Sequence, residues 1–187
     1  VLVPTPYWVS YADQIKMNEG VPVFVTATEE HHFKVTVDQL EAARTDKTKV
    51  LLLNSPSNPT GMIYSREELE AIGNWAVEHD LLILADDIYG RLVYNGNTFT
   101  PISSISESIR QQTIVINGVA KAYAMTGWRV GYAVGNPEII AAMGKIIGQT
   151  TSNLTTVAQY AAIEAFTGPQ DTVETMRQAF EERLNTI

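Results

Sequence analysis

Residues 81 to 85 read Leu-Leu-Ile-Leu-Ala, an unbroken apolar run. A strand open to water on one face alternates apolar with polar residues, so this run predicts a strand covered on both faces, as in a parallel sheet. Val1 to Val3, Val21 to Ala27, Lys49 to Asn54, Thr113 to Ile116 and Arg129 to Val134 also read as short strands. Helical patterns separate them. Pro4-Thr5-Pro6 ends the first strand, and a helix is expected from Val9 to Asn18, closed by Gly20. Thr36 with Gln39 and Ser65 with Glu68 have capping-box form. They start helices expected to reach Arg44 and His79, the second with Leu69, Ile72, Trp75 and Ala76 at helical spacing. Beyond a loop at Asn95-Gly96-Asn97, helices are expected over Pro137 to Gly148, Asn153 to Phe166 and from Pro169 onward. In the last, Val173, Met176, Phe180 and Leu184 line one face. Strands alternating with helices give an α/β domain with a mainly parallel sheet, and such sheets bind ligands beyond the carboxyl ends of their strands.

Composition narrows the partners. At 187 residues and 45% hydrophobic content the chain can bury a core. A net charge of −8 argues against a nucleic-acid partner, and no apolar run approaches the length of a membrane span. The absence of cysteine excludes disulfides and thiolate metal sites. His31-His32 lacks spaced ligand partners and reads as a surface loop, with no metal expected.

The stretch Ile116 to Gly135 has the character of a site. Lys121 lies just past an apolar strand, where desolvation can lower an amine's pKa and make it a nucleophile toward carbonyls. Eight positions later, Arg129 offers a planar fork suited to a phosphate. A lysine after a strand is by itself usually an ordinary loop residue. Three further blocks change that: Pro4-Thr5-Pro6-Tyr7-Trp8-Val9-Ser10-Tyr11, Asn54-Ser55-Pro56-Ser57-Asn58-Pro59-Thr60-Gly61 and Ala85-Asp86-Asp87-Ile88-Tyr89. In this order the four blocks resemble the signatures of the class I, fold-type-I aminotransferases that use pyridoxal 5'-phosphate (PLP), and look closest to the bacterial aspartate aminotransferase branch.

The resemblance implies a three-layer αβα large domain with a mainly parallel sheet, incomplete at both ends. Residues 1–167 would form the PLP-binding domain, and 168–187 the start of a helix leading toward a C-terminal small domain. The enzymes it resembles are about twice as long, so the chain is expected to be an excised piece. The glycine-rich phosphate turn would precede Val1, and the arginine that binds the substrate carboxylate would follow Ile187.

By the same resemblance Lys121 is the lysine that forms the imine with the cofactor and moves the substrate proton. Asp86 is the partner of the pyridine nitrogen, and Tyr89 and Asn58 are donors to the ring oxygen. Trp8 is the ring that stacks on the cofactor, Arg129 holds the phosphate, and Trp8 and Asn58 also face the substrate. Asp87 is expected to serve structure and Trp128 to lie in the core. Two positions depart from the pattern: Ala120 replaces the usual serine that donates to the phosphate, and Leu154 a usual proline. The implied activity is transamination between an amino acid, aspartate foremost, and a 2-oxo acid, 2-oxoglutarate foremost, by a cytoplasmic homodimer. The alternatives are a folded fragment or degenerate homologue without turnover and a PLP lyase or decarboxylase, which fits the Trp8 and Asn58 blocks less well.

Overall fold

The computed structural model describes residues 1–187. The strands are β1 (Leu2–Thr5), β2 (Val23–Thr26), β3 (Val50–Asn54), β4 (Leu82–Asp86), β5 (Thr113–Gly118) and β6 (Gly131–Val134). The helices are α1 (Ser10–Met17), α2 (Val37–Ala43), α3 (Arg66–Glu78), α4 (Glu107–Gln111), α5 (Pro137–Thr150), α6 (Thr156–Thr167) and α7 (Asp171–Thr186). One six-stranded sheet has the order β2-β1-β3-β4-β5-β6. Every pair is parallel except β5 with β6. This is the expected α/β, mostly parallel architecture.

Local sequence explains the helix starts. Thr36 Oγ accepts from Gln39 N–H at 3.3 Å while Gln39 Oε1 accepts from Thr36 N–H at 2.9 Å. Ser65 and Glu68 make the same reciprocal pair at 3.2 and 2.6 Å. Each cap satisfies backbone donors the helix cannot, an effect of about 1 kcal/mol. The main core lies between the sheet and α3, where Leu69, Ile72, Trp75 and Ala76 pack with Leu51, Leu53, Ile83 and Ala85. A second, smaller cluster joins Ala158 and Ala162 of α6 to Val119 and Val130.

Several expectations change. Leu82 and Leu84 are only half-buried, so β4 is not covered equally on both faces. Neither α5 nor α7 contributes a buried residue. Phe180 and Leu184, expected on the inner face of α7, are exposed. Trp128 is not a core residue: it ends a single 3-10 turn (Thr126–Trp128) and is 45% exposed, on an open groove with Arg129 and Thr151. The last strand begins at Gly131, because Arg129 takes a left-handed conformation (φ 56°) that stops extended pairing. Helix α4 was not anticipated. Ser106 caps it by accepting from Ile109 N–H at 3.3 Å.

Candidate active site

Strands β1, β3, β4 and β5 are neighbours and run the same way, so their carboxyl ends share one edge of the sheet. Trp8 follows β1, Asn58 follows β3, Asp86 ends β4 with Tyr89 just beyond, and Lys121 follows β5. Because β6 is antiparallel, with Gly118 opposite Gly131, Arg129 enters from the same edge.

Asp86 is the most constrained group there. Its Oδ2 accepts the Tyr11 hydroxyl at 2.6 Å and its Oδ1 accepts Ile88 N–H at 3.1 Å. Burial, then the charge of Asp86 and the bond to it, push the Tyr11 hydroxyl pKa upward, so Tyr11 stays a donor at neutral pH. Asn54 joins the ends of β3 and β4. Its Nδ2 donates to Asp86 O at 2.8 Å and its Oδ1 accepts Asn58 N–H at 2.8 Å. The loop then turns through Gly61 (φ 71°), where a residue with a side chain would be strained. It is closed by Gly61 N–H on Ser57 O at 2.8 Å. Asn58 Nδ2 is thereby aimed at the Tyr89 hydroxyl, 3.4 Å away. Lys121 Nζ lies 5.6 Å from the centre of the Tyr89 ring and forms no salt bridge.

Asp86, Tyr89, Asn58 and Lys121 are thus brought together. Trp8, 40% exposed, joins through Tyr11, whose ring it meets edge-on at 5.3 Å. Arg129 shares the edge, but its Nη1 donates to Thr126 O at 3.0 Å and it forms no hydrogen bond or ion pair with the other five. Asp87 is buried, its side chain accepts no hydrogen bond, and burial followed by the charge of Asp86 pushes its carboxyl up to about 7. His31 and His32 are exposed, and no cluster of ligating side chains could hold a metal.

Two residues of this network, Tyr11 and Asn54, had been given no role. A signal existed for each: Tyr11 follows Trp8 by one helical turn within a matched block, and Asn54 is a polar end on a buried strand, which demands partners.

The whole of residues 1–187 matches the family model described as aminotransferase class I and II. The chain belongs to that family. Aminotransferases of class I use PLP, and the side chains present suit it: an amine without an ion pair, a carboxylate with acceptor capacity left, two neutral donors and an arginine with most of its donors free. Among relatives, an asparagine–oxo-acid transaminase of Streptococcus mutans is 79% identical over all of this chain and 48% of its own length. An aspartate aminotransferase of Bacillus subtilis is 52% identical over the same shares. The solved aspartate aminotransferase of Rhizobium meliloti superposes with a TM-score of 0.95 at 40% identity, covering 97% of this chain and 46% of that one. An aromatic aminotransferase from Pyrococcus horikoshii gives 0.94 at 38% identity, covering 97% and 49%. The chain spans about half the length of the curated relatives it matches. No helix is long and apolar enough to cross a membrane.

Proposed function

We propose that the full-length protein carrying this chain transfers the amino group of an amino acid to a 2-oxo acid, with aspartate and 2-oxoglutarate as the first pair to test. The observation that supports it is the convergence of Lys121, Asp86, Tyr89 and Asn58 at one sheet edge. PLP, when bound, supplies an electron sink that stabilises negative charge at the substrate Cα. Asp86, held by Tyr11 and Ile88 N–H, would be the carboxylate that favours a proton on the cofactor's ring nitrogen. Tyr89 and Asn58 would supply donors to the cofactor's ring oxygen, and Trp8 an exposed aromatic face for the ring and the substrate. Lys121, an amine without an ion pair, would hold the cofactor, and its Nζ would serve as the group that takes up or gives back the substrate's Cα proton. Arg129 turns its free guanidinium donors to the phosphate.

In this reading residues 1–167 make the cofactor-binding part and 168–187, which include α7, lead to a further domain. The protein works as a cytoplasmic homodimer. Asparagine is the second amino donor, favoured by the 79% identity to a relative named for it.

The test compares rates of 2-oxo-acid-dependent turnover by the full-length protein with aspartate, asparagine and aromatic amino acids. Formation of a new amino acid from 2-oxoglutarate supports transamination, and the better donor decides between the two readings. Release of ammonia or carbon dioxide without amino transfer would replace it with a lyase or decarboxylase.

A further inference from the structure

Beyond the edge described above, Gln170, in the turn between α6 and α7, uses its whole hydrogen-bonding capacity. Its Nε2 donates to Ala165 O at 3.0 Å and Gly168 O at 2.8 Å. That fixes the orientation of the amide, since a flip would set its oxygen against two carbonyls. Its Oε1 therefore points outward and accepts twice, from Arg91 Nη1 at 2.6 Å and the Tyr123 hydroxyl at 3.2 Å. Arg91 also lies over the Tyr123 ring, 5.6 Å from its centre, and Phe166 of α6 meets that ring edge-on at 5.5 Å.

The two residues gripped by Gln170 belong to the two loops that hold Tyr89 and Lys121. Arg91 is two residues past Tyr89, in a segment of tight turns closed by Gly90 N–H on Asp87 O at 2.9 Å and Leu92 N–H on Tyr89 O at 2.8 Å. Tyr123 is two residues past Lys121, in a turn closed by Ala124 N–H on Lys121 O at 3.1 Å. Turns this short leave little freedom between the gripped residue and its functional neighbour. We infer that Arg91, Tyr123 and Gln170 form a brace that positions Lys121 against Tyr89 and couples both to the α6–α7 junction. All three are positioning residues, since none contacts the reacting groups. The inference rests on the proposed role of Lys121, but the brace itself can be tested without it.

The experiment uses the full-length protein and the variants Arg91→Ala, Arg91→Lys, Gln170→Ala and Tyr123→Phe. Amide hydrogen exchange of the cofactor-free protein reads the brace directly. Arg91→Ala and Gln170→Ala should speed exchange in residues 119–125 by about tenfold or more. Tyr123→Phe, which keeps the ring, should do so less, and Arg91→Lys, which keeps a cation over the ring, should restore most of the protection. With PLP added, the position and intensity of its bound absorbance band should shift in the two alanine variants and return toward the parent's in Arg91→Lys. Faster exchange confined to residues 165–173, with 119–125 and the band unchanged, would reduce the cluster to a fastening for α7 and overturn the inference. If Arg91→Ala fails to fold, Tyr123→Phe and Gln170→Ala decide by the same criterion. A band that survives in Lys121→Ala would sink the functional reading while the exchange data still judge the brace.

Discussion

The Tyr11 hydroxyl donates to Asp86 Oδ2 at 2.6 Å across a sequence separation of 75 residues, and so ties the first turn of α1 to the end of β4. A hydrogen bond to a charged group is worth about 1.5–3 kcal/mol. If about half of that reaches the barrier, Tyr11→Phe slows transamination roughly fivefold, with little change in KM for the amino acid. Steady-state kinetics check it, and a rate within twofold of the parent's would remove Tyr11 from the support of Asp86.

Lys121 is half-exposed and forms no salt bridge, so its side chain contributes little to the fold. Lys121→Ala should keep the parent's thermal midpoint without cofactor and lose both turnover and the absorbance of covalently held PLP. Mass spectrometry after borohydride treatment locates the modified residue. Label at another lysine would show that the assignment is wrong.

Asp87 gives the protein a pH dependence of predictable sign. Its folded-state pKa, about 7, lies above the roughly 3.9 of an unfolded aspartate. Between those values the folded protein holds a proton that the unfolded chain has released, so this group makes stability fall as pH rises from about 4 to about 7. Asp87→Asn, neutral throughout, should remove that slope and gain about 2–4 kcal/mol on the parent between pH 4 and 8. Denaturant midpoints of the cofactor-free protein at several pH values measure it. Identical slopes in parent and variant would refute the assignment.

A Cβ at Gly118 would stand 2.5 Å from Val130 O and 3.1 Å from Gly131 Cα, both backbone atoms that cannot swing aside. Gly118→Ala should force β5 and β6 apart and cost about 1–3 kcal/mol. Across the same pair, Gly131→Ala would meet only Asn117 O at 3.5 Å, an ordinary contact. Its thermal midpoint should fall much less. Equal losses would mean that the close approach at Gly118 is not what limits this pairing.

Ala120 allows a test in the opposite direction. A serine there adds a donor beside the expected phosphate position, and Ala120→Ser should tighten PLP binding by up to about tenfold per 1.4 kcal/mol recovered. An unchanged dissociation constant would show that other donors already satisfy the phosphate.

Most of this arrangement was legible in the sequence because its causes are local. Both capping boxes formed as their residue spacing required, and strand positions followed the short apolar runs. The site edge followed from strand ends in a parallel sheet. What escaped depends on contacts between distant segments. No pattern within either segment announces that Tyr11 meets Asp86 or that Gln170 meets Arg91. Helix α4 has only five residues, too short for a periodic signal, and Ser106 was its one local mark. Trp128 defies its local context, since a bulky indole among apolar residues suggests burial, whereas the 3-10 turn leaves it 45% exposed on a groove. The unbroken run in β4 predicted two covered faces, whereas Leu82 and Leu84, on the face away from Ile83 and Ala85, are only half-buried.

The strand order also matches the direction of synthesis. β2 pairs on one side of β1, after which β3, β4, β5 and β6 each join the open side in the order they are made. Within residues 1–187 each strand from β3 to β6 can therefore join without displacing a strand of this segment already laid down, and at each stage the growing border is a template for the next of them. Asn58, Asp86 and Tyr89 are in place before the segment after β5 delivers Lys121, so the amine proposed to hold the cofactor arrives last among these four. Nascent chains halted just before and just after β5 should differ sharply in covalent capture of PLP while protecting β1 to β4 alike.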